Sequence, residues 1–322
     1  MSSHGDGQLQ MTNLTVGVLA LQGAFAEHIK LLRQAADELR LQSNDTLQHN
    51  THPHASPHTD GVPKDADADA DILIHKPYST STDFFNHSFD CIEVRNASEL
   101  ARCDALILPG GESTSISLIA ERCGLLEPLR DFVKVARKPV WGTCAGLILL
   151  AESANKSKSS GQELIGGLDV RVQRNYFGRQ VESFEADLDL PFLESGPFHS
   201  VFIRAPVVEK VLTPTSSVPS ASSDDTVLAP PRQATRAQVE ILGRLPGRAK
   251  TIKDKTVHAE DLGEDGDIVA VRQGNVFGIA FHPELTGDSR IHGWWLREVL
   301  KAKTAQREIG DTDSPKSLVT GS

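Results

Sequence analysis

Apolar runs alternate with amphipathic stretches along most of this chain. Residues 14–21, LTVGVLAL, are continuously apolar, which suits a strand buried on both faces. A QGAF turn follows, then a pattern with Phe25, His28, Ile29, Leu32 and Ala36 on one face, predicting a helix to about Arg40. The theme repeats. Strands are expected at 88–94 (SFDCIEV), 103–108 (CDALIL) and 139–143 (PVWGT). Helices are expected from Ser113 to about Cys123 with Gly124 as the stop, over 126–136, and through AGLILLAE after Cys144. Strand–helix alternation of this kind predicts an α/β domain. The second half carries more strand signals. LDVRVQR at 168–174 alternates, VFIRAP at 201–206 reads as a strand stopped by Pro206, and 268–284 reads as a hairpin turning at Gly274-Asn275. An amphipathic helix is expected over about 289–302.

Two polar stretches interrupt the pattern. Residues 42–71 hold Asn, Asp, His, Pro and Ala with almost no large apolar side chains, and the interval to 88 is read as one insertion. Residues 213–237 are rich in Ser, Pro and Thr, and irregular polar sequence runs on to about Asp265. Such stretches bury too little surface to offset chain entropy. The reading is one domain over 13–302 with insertions at about 42–88 and 213–265, and flexible termini at 1–12 and 303–322.

Composition narrows the partners. Lys plus Arg is 33 against 43 Asp plus Glu, a net charge of -10 without a basic run, which argues against nucleic-acid or anionic-membrane binding. No apolar stretch reaches the ~18 residues that a spanning helix needs, and MSSHGDGQLQMTN lacks signal-peptide character. Cys91, Cys103, Cys123 and Cys144 form no C-x-x-C pair. A reducing, cytoplasmic setting is expected.

The chemistry concentrates in three segments. In Gly142-Thr143-Cys144-Ala145-Gly146 a short strand delivers a cysteine into a sharp turn, and a helix begins at once. This is the logic of a nucleophile elbow, with the Ala145 N–H placed to meet an oxyanion. A cysteine simply buried between strand and helix is the alternative reading of this segment. In Phe281-His282-Pro283-Glu284, side chains two apart share a strand face. His282 can therefore serve as base and Glu284 as its orienter. In Leu108-Pro109-Gly110-Gly111-Glu112-Ser113, paired glycines after a strand can form an anion-binding nest, and Gly111 N–H is the candidate second oxyanion donor. Glu112 or Ser113 could instead merely cap the next helix. All three segments follow strands, where sites gather in open α/β sheets. Arg174 and Arg204 are suited to a carboxylate, although a structural ion pair would explain either. The tract His49, His52, His54 and His58 lacks cysteines at ligand spacing, so no metal is expected. Cys91, Cys103 and Cys123 read as core or near-core thiols, and Trp294-Trp295 as packing.

VGVLALQGAFAEH, ALILPGGESTSI, GTCAGLILLA, RNYFGRQVESFEADL, FIRAP and FHPELTGDSRIH span Val16 to His292. Together they resemble the glutaminase subunits of pyridoxal 5′-phosphate synthases, which are class I, triad-type glutamine amidotransferases. GTCAG with FHPE is shared by many triad amidotransferases; LQGAFAEH, PGGEST, RNYFGRQ and FIRAP are more specific. The resemblance implies a single three-layer, open-sheet α/β domain of flavodoxin-like type carrying a Cys144–His282–Glu284 triad. It implies that Gly110, Gly111, Glu112 and Ser113 line a glutamine pocket and that Arg174, Ile203 and Arg204 hold the amino-acid end. It places Gln22 near the mouth where the synthase subunit docks and activates. The substrate would be L-glutamine, the ammonia would pass to the synthase subunit, and no cofactor is implied. The insertions and tail depart from the compact family pattern. Competing readings are a glutaminase feeding another synthase, a silent regulatory subunit, and a cysteine peptidase on a similar fold.

Overall fold

The computed structural model describes residues 12–50, 87–156, 162–174, 176, 183–212, 226–231, 237–246 and 266–312. The first half runs β1 (Thr12–Leu19), α1 (Phe25–Asn50), β2 (His87–Val94), α2 (Ala97–Ala101), β3 (Ala105–Leu108), α3 (Ser113–Arg122) and α4 (Leu126–Arg130). A π-helical segment at Asp131–Val135 leads to β4 (Val140–Thr143) and α5 (Ala145–Leu150). Then come β5 (Ala151–Asn155), β6 (Leu168–Gln173), β7 (Ser183–Leu188), β8 (Phe198–Ile203), β9 (Val207–Val211), β10 (Thr226–Leu228) and β11 (Val239–Leu245). The chain closes with β12 (Asp267–Gln273), β13 (Val276–Ile279), a 3-10 turn at Pro283–Leu285 and α6 (Arg290–Thr312).

One large sheet has the order β10-β5-β6-β9-β12-β13-β4-β3-β1-β2, with β11 added beside β12. From β2 to β13 every neighbouring pair is parallel. The order reverses between β1 and β3, so this half has a flavodoxin-like switch point, and its strands end on one edge. Alternation along β4 separates the two faces. Trp141 and Thr143 meet α1 and α6 through His28, His292 and Trp295. A side chain at Gly142 would instead strike α5 at Gly146 and Leu147. Helices therefore cover both faces, and all four residues of β3 and of β4 are buried. β7 and β8 form a separate hairpin. Among the described residues, no helix is long and apolar enough to cross a membrane.

Several expected boundaries move. α1 continues to Asn50, past Arg40 and into the first expected insertion; residues 51–86 of that insertion lie outside the described residues. The helix through AGLILLAE stops at Leu150, because Ala151 and Glu152 join β5, which pairs with β6. The second expected insertion contributes β10 and β11 to the main sheet. VFIRAP breaks at Arg204 (φ 42) and not at its proline, and the chain resumes as β9. α6 extends to Thr312. Periodicity misses such boundaries because they are set by sheet partners distant in sequence. Cys91 and Cys103 are buried as expected, but Cys123 is exposed at the end of α3. The hairpin turns at Gly274-Asn275 as expected, with Gln273 opposite Val276, but its second strand stops at Ile279 and not at Glu284; His282 and Glu284 meet across a 3-10 turn and not on one strand face. Trp294 and Trp295 pack against Phe277 and Trp141.

Gly17, in the middle of β1, tests the packing. A Cβ there would lie 2.6 Å from both Cys103 Sγ and Val94 Cγ2. Gly17→Ala should lower unfolding stability by about 1–3 kcal/mol, the usual penalty of overpacking, in urea titrations; an unchanged midpoint would contradict this packing.

Candidate active site

The last residue of β4 hands directly to Cys144, whose backbone takes φ 47 and ψ -96, a strained conformation for a residue with a side chain. Two glycines make the bend possible. A Cβ on Gly142 would sit 2.5 Å from the Gly146 carbonyl carbon, and one on Gly146 would sit 2.1 Å from the Leu108 carbonyl oxygen. The turn is anchored by Cys144 N–H donating to the Ile279 carbonyl at 2.8 Å, and α5 begins with Ile148 N–H donating to the Cys144 carbonyl. The Cys144 thiol is thus presented at the sheet edge, 4.0 Å from the Ile203 carbonyl oxygen.

His282 follows β13, and its N–H donates to the Val201 carbonyl of β8 at 2.8 Å. Its Nδ1 lies 2.7 Å from Glu284 Oε1, with both side chains buried. Burial works against charge on His282, but its interactions with Cys144 and Glu284 outweigh that and raise its pKa to about 10. Burial would likewise push the Glu284 carboxyl up; the electrostatic influence of the adjacent His28, the hydrogen bond and charge of His282 and a backbone N–H hold it below its ordinary value. A Cβ on Gly110 would lie 2.3 Å from His282 Cε1 and 2.6 Å from its Nδ1, so that glycine lets the β3–α3 loop lie against the imidazole.

The same loop meets the β1–α1 turn. Gly23, at φ 103, takes a conformation that glycine permits, and a Cβ there would fall 1.9 Å from the Gly110 carbonyl oxygen. Ala24 N–H donates to that carbonyl at 3.1 Å. Glu112 N–H donates to Gln22 Oε1 at 2.8 Å, and Gln22 lies close over Gly111. The Glu112 carboxylate caps α3 by accepting from Thr114 and Ser115 N–H. Burial opposes its charge, but these bonds hold its pKa below the ordinary value. Ser113 and Thr114 hydroxyls donate to Gln162 Oε1 at 3.3 and 3.1 Å, and Arg174 Nη1 donates to the same oxygen. Arg174 is buried, which lowers its pKa to about 10 despite the charge of Glu112, and its N–H donates to Asn155 Oδ1 at 2.7 Å. Ile203 and Arg204 are exposed at the end of β8, and Arg204 is one of three described non-glycine residues at positive φ.

The named residues thus fall on the β1–α1, β3–α3 and β4–α5 connections, the β13–α6 turn and the ends of β6 and β8. Periodicity gave no signal for Gln162, in a polar stretch, or for Asn155. His28 did leave one: a histidine on the apolar face of α1. It is fully buried, with Nδ1 3.0 Å from His292 Nε2, and Nε2 3.2 Å from Thr143 Oγ1 and 3.4 Å from Glu284 Oε2. Among the described residues, no group of three or more His, Cys, Asp or Glu could hold a metal ion. The tract His49–His58 lies outside the described side chains.

A model of the SNO glutamine amidotransferase family matches residues 18–243 and 238–301. A probable pyridoxal 5′-phosphate synthase subunit PDX2 of Arabidopsis thaliana is 37% identical over 318 residues, covering 95% of this chain and 92% of that protein. The pyridoxal 5′-phosphate synthase subunit PdxT of Acidothermus cellulolyticus is 44% identical over 211 residues, covering 65% of this chain and 82% of the relative. A solved glutamine amidotransferase structure aligns at TM-score 0.52 and 32% identity, covering 89% of this chain and 98% of that one.

Burial lowers the pKa of both His28 and His292 from 6.5 to about 3, with Glu284 opposing it at His28. Their contribution to stability is therefore complete above about pH 6.5 and is lost as pH falls toward 3. His292→Phe should remove about one proton of uptake on unfolding between pH 4 and 6, read as a shallower pH dependence of unfolding free energy in urea titrations. An unchanged slope would refute a neutral His292.

Proposed function

The chain belongs to the SNO glutamine amidotransferase family, and on that premise we propose that it is the glutaminase subunit of a pyridoxal 5′-phosphate synthase. It hydrolyses L-glutamine to glutamate and ammonia, and the ammonia passes to a synthase subunit for vitamin B6 biosynthesis. The observation that carries the reading is the meeting of Cys144, on its strained turn, with the buried His282–Glu284 pair. Relatives named as synthase subunits support the partner.

The chemistry follows from the groups present. Cys144 Sγ attacks the side-chain amide carbon, with its proton held on His282 Nε2, since that imidazole is drawn toward the charged form. The carbonyl oxygen becomes an oxyanion, for which Ala145 N–H at the start of α5 and Gly111 N–H on the β3–α3 loop are the assigned donors. Collapse breaks the carbon–nitrogen bond. His282 returns the proton to the leaving nitrogen, and ammonia departs. A water, deprotonated by His282, then attacks the glutamyl thioester and releases glutamate. Glu284 holds the imidazole through Nδ1, so that Nε2 is the atom that exchanges protons with sulfur, nitrogen and water.

Gly110, Gly111, Glu112 and Ser113 form the floor for the glutamine side chain in this reading. Arg174 takes the substrate carboxylate, braced from behind by Gln162 and Asn155. Ile203 and Arg204 close the amino-acid end. Gln22, bonded to Glu112 N–H, couples the β1–α1 turn to the oxyanion loop, and the synthase subunit acts there.

Ammonia release from glutamine, measured with and without the synthase subunit, tests the assignment. Cys144→Ala should lower kcat by about 10³-fold or more while leaving folding and subunit association intact; retained activity would reject it. Gly110→Ala should misplace His282 and reduce kcat by about 10²-fold, again read as ammonia release. A near-normal rate would mean that the close approach of the loop to the imidazole is unimportant.

A further inference from the structure

Glu284 has two oxygens, and orienting His282 uses one. Oε1 takes the His282 Nδ1 contact at 2.7 Å. Oε2 is buried, and the polar atom that faces it is His28 Nε2 at 3.4 Å. That nitrogen also lies 3.2 Å from Thr143 Oγ1, one residue before the nucleophile. On its other side, His28 Nδ1 lies 3.0 Å from His292 Nε2. Trp141 walls the cluster, with ring centroids 5.4 Å from His28 and 4.9 Å from His292. His28 comes from α1, Trp141 and Thr143 from β4 and His292 from α6, three elements well separated in sequence.

The proton positions follow from one constraint. An ionised carboxylate only accepts hydrogen bonds, so the nitrogen facing Oε2 must carry the hydrogen. His28 is then the Nε2–H tautomer. Burial keeps it neutral, so its Nδ1 is a bare acceptor. The 3.0 Å contact to that acceptor requires hydrogen on His292 Nε2. Each imidazole tautomer is thus dictated by the next group toward Glu284.

We propose that His28 is a positioning residue for the triad: its Nε2–H, held in register by His292 and Thr143, fixes the second oxygen of Glu284. This rests on the glutaminase reading and deepens it. His28 touches neither substrate nor the reacting sulfur. It acts by keeping the carboxylate ionised and aligned with the His282 ring. The groups bearing on His28 are Glu284 and His282 from the segment after β13, His292 from α6 and Thr143 from β4. The 3.4 Å contact is long for a resting hydrogen bond, and such contacts tighten as the transition state forms.

The test uses the full chain with its synthase subunit and three substitutions at one position. His28→Leu removes the donor, His28→Gln places an amide N–H near the Nε2 position, and His28→Asn is too short to reach Glu284. Two readouts are taken: ammonia release from glutamine, and the pH dependence of Cys144 alkylation by iodoacetamide, mapped by mass spectrometry. The second needs no glutamine. Loss of the donor should lower kcat about tenfold with KM changed less than about twofold. It should also move the acid limb of both profiles to higher pH, because Glu284 would protonate more easily. His28→Gln should restore both, and His28→Asn should not. If His28→Leu does not fold, the Gln and Asn pair decides. Wild-type kcat and an unmoved acid limb in His28→Leu or His28→Asn would overturn the proposal, as would equal behaviour of Gln and Asn. If the wild-type complex releases no ammonia, the glutaminase reading fails, while the alkylation profiles still decide the role of His28.

Discussion

A carboxylate removed from water must be met by donors on its lone pairs, and the centre of this molecule is organised around that requirement at Glu284. An isolated carboxyl at this depth would be driven toward its neutral form. Here His282 and His28 flank it, and the net effect is a lowered pKa. Burial keeps His28 and His292 neutral, while His282 alone is drawn toward the charged form by Glu284 and Cys144. One carboxylate with a lowered pKa, one imidazole drawn toward its charged form and two held neutral is a division set by environment, since three of the four are the same residue type.

The second theme is close approach of backbones. The thiol, the imidazole and the β3–α3 loop share a small space because Gly142, Gly146, Gly110 and Gly23 each sit where a Cβ would collide with a neighbour. The strain at Cys144 is held by the Ile279 carbonyl on one side and the first turn of α5 on the other. The parallel half of the sheet makes this arrangement economical. β1, β3, β4 and β13 end at one edge, so four connections contribute side chains or backbone groups without long excursions. The antiparallel half adds the end of β6 with Arg174, and the separate β7–β8 hairpin adds Ile203 and Arg204 at the end of β8.

The two ends of the candidate site are built differently. His282 and Glu284 are buried and locked by neighbours. The arginine end is braced by amides, with Gln162 Oε1 accepting from Ser113, Thr114 and Arg174 at once. An amide that gathers these donors ties the start of α3 to the end of β6.

The sequence by itself determined most of the periodic elements, the bend at Cys144, the nearness of His282 and Glu284, though on a 3-10 turn and not the expected strand face, and the paired glycines after β3. These are local: each depends on residues within a few positions, where propensity and spacing act. Only the tertiary structure decided that β10 and β11 join the main sheet, that VFIRAP breaks at Arg204, that Cys123 faces solvent, and that Glu112 caps its helix while lying electrostatically close to Arg174. It alone brought His28, Thr143, His292 and Gln162 to their partners, across separations of 264 residues for His28 and His292 and 49 for Ser113 and Gln162. The physical reason is that a hydrogen-bond partner supplied by another element leaves no periodic trace in either segment. A histidine on an apolar helix face shows that something must satisfy it, and only the packed sheet shows what does.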